Sequence, residues 1–205
     1  MRIVAVAVAA AILVGAGCAG SDDEASGPVA STPAGETTNG ETDGATTTAT
    51  DGIDPLEGAG TTPVTRPPAG EDTALLEGIA LGRHEGFDRI VFRFRNGIPG
   101  YRVEYVRPPL REDGSGSRVE VAGDAFVVVR MEPASGFDLT TGEGELVYTG
   151  PRRVSGSGMS VVREAVRTGD FEAVLSWAVG LTDRVDFRVI TLDDPARIVV
   201  DFRNH

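Results

Sequence analysis

Seven side chains in this sequence have the types and spacing to grip a ligand: His84, Arg89, Arg93, Tyr101, Arg102, Trp177 and Arg188. A guanidinium offers a planar fork of N–H donors that matches a carboxylate bidentately. Arg89, Arg93, Arg102 and Arg188 therefore suit acidic groups, and every basic residue of the chain is Arg. Tyr101, Tyr105 and Trp177 offer flat rings against which a sugar can stack. The competing assignment makes the same residues core aromatics and cross-strand ion pairs, such as Arg93 with Asp201. Catalysis finds less support. His84 and His205 are the only histidines, so a Ser-His-acid set would need His84, with Glu85 or Asp88 beside it and a remote serine. No G-x-S-x-G elbow accompanies them. No paired His or Cys spacing suits a metal, and no P-loop or G-x-G-x-x-G follows a strand and opens a helix. The expectation is a binding protein without cofactor or metal.

The elements that must position these residues read as strands. Ile90, Phe92 and Phe94 alternate with Arg89, Val91, Arg93 and Arg95 over 87–95, after a first strand at 75–83 and a GRHEG turn. Asn96-Gly97 and Pro99-Gly100 are turn signals, and Tyr101, Val103 and Tyr105 alternate over 101–106. The DGSGS segment at 113–117 reads as an exposed hairpin tip, followed by strands at 118–123 and 125–131. A long loop is expected over 132–160, broken by a strand at 146–149. Residues 170–179 fit a helix face or a strand, and the strand is preferred. At the end, strands 187–190 and 198–202 flank the turn Asp193-Asp194-Pro195.

Two echoes suggest an internal pseudo-repeat. RIVFRFRN at 89–96 and RIVVDFRN at 197–204 share six of eight letters. More loosely, Phe87-Asp88, Ile90-Val91 and Tyr101-Arg102-Val103 reappear as Phe171-Glu172, Val174-Leu175 and Phe187-Arg188-Val189. Two related β units packed together would produce this pattern.

The net charge of −12 is unevenly spread. Residues 19–72 carry eleven acidic groups against one Arg, while 73–205 carry twenty against seventeen. No basic patch stands clear of acidic neighbours, so nucleic acid is not an expected partner. Met1–Gly17 holds Arg2 and an apolar run, a signal-peptide core too short to span a bilayer. It ends in GAGC and resembles a bacterial lipoprotein signal, although Gly15 stands where Leu or Val is usual. Cleavage would free Cys18, the only cysteine, for a lipid such as palmitate; an ordinary secretory signal is the alternative. Residues 18–71, rich in Gly, Thr, Ala and Pro, are expected to form a disordered acidic tether, with a reach of roughly 40 Å as a flexible coil. The folded domain is expected at 72–205.

The run F-R-V-x-x-L-x-x-P-x-R-I-V-V-D-F at 187–202 resembles the closing motif of the AMIN domain. With GRHEGFDR at 82–89 and PGYRVEYV at 99–106, the stretch 73–203 is similar to the AMIN-like domain of actinobacterial lipoproteins, although 107–168 departs from the short AMIN pattern. The resemblance implies an all-β sandwich of two related sheets. It also implies a non-catalytic envelope module that binds peptidoglycan or its stem peptides and accompanies cell-wall amidases and secretins. The chain is accordingly read as a protein held at the outer face of the cell membrane through lipid on Cys18. The alternative is a module that takes an envelope protein along an exposed strand edge and binds no glycan.

Overall fold

Alternating apolar residues make strands throughout, and no helix occurs among the described residues of the computed structural model, 56–140 and 142–204. The expected leader, Cys18 and most of the tether lie outside them. The strands are β1 (Val64–Arg66), β2 (Ala74–His84), β3 (Phe87–Arg95), β4 (Gly100–Val106), β5 (Ala125–Glu132), β6 (Ala134–Ser135) and β7 (Phe137–Asp138). They continue with β8 (Glu145–Leu146), β9 (Arg153–Ser155), β10 (Val162–Phe171), β11 (Val174–Leu181), β12 (Phe187–Asp193) and β13 (Ala196–Arg203). Two sheets form a sandwich, one ordered β12-β13-β3-β2-β6 and the other β1-β4-β5-β11-β10-β9; β7 and β8 pair separately. The all-β expectation holds.

The core lies between the sheets. Ile90, Phe92 and Phe94 of β3, Val127, Val129 and Met131 of β5, Leu175, Trp177 and Val179 of β11, and Ile198, Val200 and Phe202 of β13 are all buried there. Burying side chains of this size stabilises by about 1.5–3 kcal/mol each, and period-2 alternation lets one face of every strand contribute.

The internal repeat is real, but it is written in the topology. Hairpin β2–β3 sits in the five-stranded sheet and the chain crosses to make β4–β5 in the other. Hairpin β10–β11 sits in the six-stranded sheet and the chain crosses back to make β12–β13. The central orders β12-β13-β3-β2 and β4-β5-β11-β10 are therefore interchanged by one exchange of hairpins. Under it the pair Ile90–Val200 corresponds to Trp177–Val129, and Tyr101–Met131 to Phe187–Phe202. The two echoing octapeptides, by contrast, belong to β3 and β13, which are antiparallel neighbours in one sheet. Of the looser echo, Tyr101-Arg102-Val103 and Phe187-Arg188-Val189 fall at equivalent positions of β4 and β12, while Ile90-Val91 and Val174-Leu175 fall on the equivalent strands β3 and β11 but three residues out of register.

Several expectations are corrected. The folded part starts before residue 72. Leu56 is fully buried, Gly60 bridges Phe187 on the edge of β12, and β1 pairs with β4, so 56–66 straps the two sheet edges together. At 170–179 the preference for strand over helix holds, but a turn splits the stretch between two strands. Phe171 ends β10, and Glu172 and Ala173, at φ 51° and 56°, make the tight turn into β11; paired positive φ values suit the twist of a two-residue hairpin. No strand forms at 118–123. That segment belongs to a long connection, 107–124, which lies on the outside of the six-stranded sheet. Gly180 of β11 shows how closely: a Cβ there would run into the Ala122 carbonyl oxygen. Among the described residues, one outer face of the sandwich is thus covered and the other, on the five-stranded sheet, is left open.

Candidate binding face

The open face follows from register. Residues of β2, β3, β13 and β12 that point away from the core stand in three rows. In the first, Gly82, Arg89, Asp201 and Arg188 are consecutive partners. The second is Ala80, Val91, Val199 and Ile190, and the third Gly78, Arg93, Arg197 and Leu192. A strip of small and aliphatic side chains therefore lies between two clusters of arginine.

In the first row two guanidinium groups close on one carboxylate. Arg89 donates Nε to Asp201 Oδ1 at 2.6 Å and Nη2 to Oδ2 at 2.9 Å, and Arg188 donates Nε to Oδ2 at 3.1 Å. Asp201 is fully buried beneath them. The bidentate bond to Asp201 holds the Arg89 pKa above its usual value. The Arg89 guanidinium also lies 5.0 Å from the centre of the Phe87 ring, on which His84 stacks at 4.7 Å. This end is a fixed platform of cation, ring and imidazole.

At the other end Arg93 and Arg197 face each other across β3 and β13. Like charges directly opposite are unfavourable. Each is only weakly offset: Arg93 by Glu77 at 3.5 Å, Arg197 by the Pro195 carbonyl, which accepts from its Nε at 3.1 Å. The expected pairing of Arg93 with Asp201 does not occur, because register sets Asp201 opposite Arg89 and leaves Arg93 four residue pairs further along.

Four of the seven residues chosen from sequence, His84, Arg89, Arg93 and Arg188, thus share one face. The other three do not. Trp177 is fully buried between the sheets, edge-on to Phe92 and Tyr148 at 6.2 and 5.7 Å, so it offers no face to a sugar. Tyr101 is a core residue whose burial raises its pKa. Arg102 is exposed on the six-stranded sheet and forks onto Glu104 with two bonds of 2.6 Å, which lowers the Glu104 pKa. Tyr105 is pinned to Val185, donating to its carbonyl at 2.7 Å and accepting from its N–H at 3.0 Å. Alternation was the signal that separates these residues: inward positions of β4 and β11 carry Tyr101, Tyr105 and Trp177.

The sequence reading also missed a cleft at one end of the sandwich. It has a volume of about 1150 Å³ and lies where β6 and β7, the β10–β11 turn and residues 71–73 meet. The signal was available in Phe137 and Leu139, apolar residues in a stretch otherwise made of loop types.

The described residues thus form a doubled, all-β sandwich with an arginine-flanked outer face. The family model for the AMIN-like domain matches residues 74–204, and the chain belongs to that family. Membership points to a cell-wall-associated module with an extracytoplasmic, envelope setting. No curated protein and no solved structure matches the chain.

Proposed function

We propose that this chain is a non-catalytic cell-wall module whose open sheet face binds peptidoglycan. Glycan would lie along Ala80, Val91 and Ile190, over the buried Val199, and carboxylates of the stem peptides would meet Arg93 and Arg197. The observation that carries this reading is the opposition of Arg93 and Arg197 on a face that no other described element covers. Two under-compensated guanidiniums at one spot are relieved by an incoming carboxylate, which each can take bidentately. Arg89 and Arg188 are committed to Asp201 and act chiefly as the rigid end of the platform.

A non-catalytic role is supported by the state of His84. Its ring stacks on Phe87 and has no carboxylate partner among the described residues. Asp88, the neighbouring acid, is consumed elsewhere: it accepts from the N–H groups of Val161 and Val162 at 2.6 and 3.0 Å and from Asn204 Nδ2 at 2.9 Å. Co-sedimentation with purified sacculi tests the proposal, and a chain that stays in the supernatant would end it. Membrane attachment through lipid on Cys18 is part of the same reading; a mass increase from acylation that disappears in Cys18→Ala tests it separately.

A second reading, docking of an envelope protein by strand addition, is favoured by the edge of β12. Gly60 takes the outward N–H and C=O of Phe187, and by alternation those of Val189, Thr191 and Asp193 also point outward. Crosslinking from Thr191 that captures a protein in wall-digested cells would favour it.

A further inference from the structure

The cleft at the sandwich end lies outside the face just described and is built of different chemistry. Of the five large hydrophobic side chains exposed among the described residues, four gather around it: Phe137 (41% exposed), Leu139 (76%), Leu146 (49%) and Phe171 (60%). Phe137 and Leu146 are direct partners across β7 and β8, and Phe137, Leu139 and Phe171 line the cavity. Exposed apolar side chains scattered singly need no explanation, whereas a concave cluster marks a binding surface.

Its rim is acidic. Glu71, Asp72, Asp138 and Glu172 all line it, and none has an ion-pair partner among the described residues. Asp138 accepts from the N–H and hydroxyl of Thr140 at 3.0 and 2.6 Å, which holds its pKa down and keeps it ionised; Arg95 lies near enough to add to that effect. The floor is fixed. Asp170 accepts from Ser135 Oγ at 2.8 Å and from the Gly136 N–H at 3.0 Å, and the Ala173 carbonyl accepts from the Ala134 N–H at 2.8 Å. That last bond anchors the turn in which Glu172 and Ala173, neither of them glycine, hold left-handed backbone at about 1–2 kcal/mol each. Strain of this kind persists where the surroundings over-determine it, and here it projects Phe171 and Glu172 onto the rim.

We propose that this cleft binds an extended peptide segment of a partner protein in which Lys or Arg alternates with aliphatic or aromatic side chains. The apolar residues would enter between Phe137, Leu139 and Phe171, and the cations would meet Glu71, Asp72, Asp138 and Glu172. Charge complementarity selects this occupant over the others. The chain's own residues 19–55 carry eight acidic groups and no basic one, so they are repelled, and an anionic lipid surface is repelled likewise. A volume of about 1150 Å³ exceeds the roughly 300–1,000 Å³ usual for small ligands.

The test is selection of a phage-displayed random nine-residue library on the full chain, followed by fluorescence anisotropy of the enriched peptides. The expected consensus alternates basic with apolar residues. Binding should weaken at least tenfold in Phe137→Ser/Phe171→Ser and in Glu71→Gln/Asp72→Asn/Glu172→Gln, and weaken with added salt. Arg93→Glu/Arg197→Glu, on the wall-binding face, should leave it unchanged, so loss of sacculus binding and loss of peptide binding are separable. All these positions except Glu71 and Asp72 lie on strands or the turn, and near-ultraviolet circular dichroism confirms that each variant is folded. No enrichment, an acidic consensus, or affinities within twofold across the cleft variants would overturn the proposal. So would a concentration-dependent dimer lost in Phe171→Ser, which would make a second copy the occupant, or co-sedimentation with anionic vesicles.

Discussion

Replacing Asp201 by Asn isolates the platform at one end of the open face. The carboxylate is fully buried and accepts three N–H bonds from two guanidiniums. An asparagine keeps the volume but loses the charge, and it turns an NH₂ toward donors. Removing one partner of a buried pair costs about 3–5 kcal/mol. The side chains of Arg89 and Arg188 are 27% and 28% exposed, so water recovers part of their solvation and the expected loss is about 2–3 kcal/mol. For a domain of this size that lowers Tm by about 5–10 °C. Arg89→Ala and Arg188→Ala should each cost about 1 kcal/mol, because the remaining guanidinium still neutralises Asp201. Their double variant should cost more than the sum, since it strands the carboxylate. Urea denaturation midpoints at constant m measure all four. A loss below 1 kcal/mol for Asp201→Asn, or additivity of the two arginine variants, would refute the shared-carboxylate account.

Other outcomes follow from the same contacts. Gly180→Ala should destabilise by about 1–3 kcal/mol or more, because its Cβ meets the Ala122 backbone and the 107–124 connection must lift; denaturant unfolding reads this. Trp177→Ala should cost about 3–5 kcal/mol, whereas folded Trp177→Phe should bind sacculi as the unaltered chain does, showing a packing role. Burial raises the pKa values of Tyr105, Tyr101 and Tyr148 above 10.0. A raised folded-state value means their contribution is complete below pH 10 and is lost as pH rises through the folded pKa. Denaturation midpoints should therefore fall above pH 10. Tyr105→Phe should be less stable at pH 8 by about 1–2 kcal/mol, its Val185 N–H partner being lost, with a shallower alkaline fall.

Much of the fold was legible because each long strand buries one face. The stretches 87–95, 101–106, 125–131 and 198–202, expected as strands, all fall on strands. The short pairings of β6 to β9 were not legible, since two or three residues carry no period. The repeat was suspected partly from the wrong residues: the octapeptides at 89–96 and 197–204 are not equivalent, whereas Tyr101-Arg102-Val103 and Phe187-Arg188-Val189 are. Equivalent positions such as Ile90 and Trp177 share only depth in the core, which constrains polarity and not identity, whereas β3 and β13 look alike because neighbouring strands line the same faces. The candidate site divided along the same line. Arginines on β3 and β12 were found because outward positions of a half-buried strand are polar. Trp177, Tyr101 and Tyr105 were chosen for ring chemistry without asking which way their strands turn them, and the exposed rings of Phe137 and Phe171 were passed over.

On the proposed function, the open face of the five-stranded sheet holds the cell wall through Arg93 and Arg197. Co-sedimentation of the full chain with purified sacculi should pellet the unaltered protein and Phe137→Ser/Phe171→Ser alike. Arg93→Glu/Arg197→Glu, folded by circular dichroism, should stay in the supernatant. Equal pelleting of the charge-reversed chain would contradict the account.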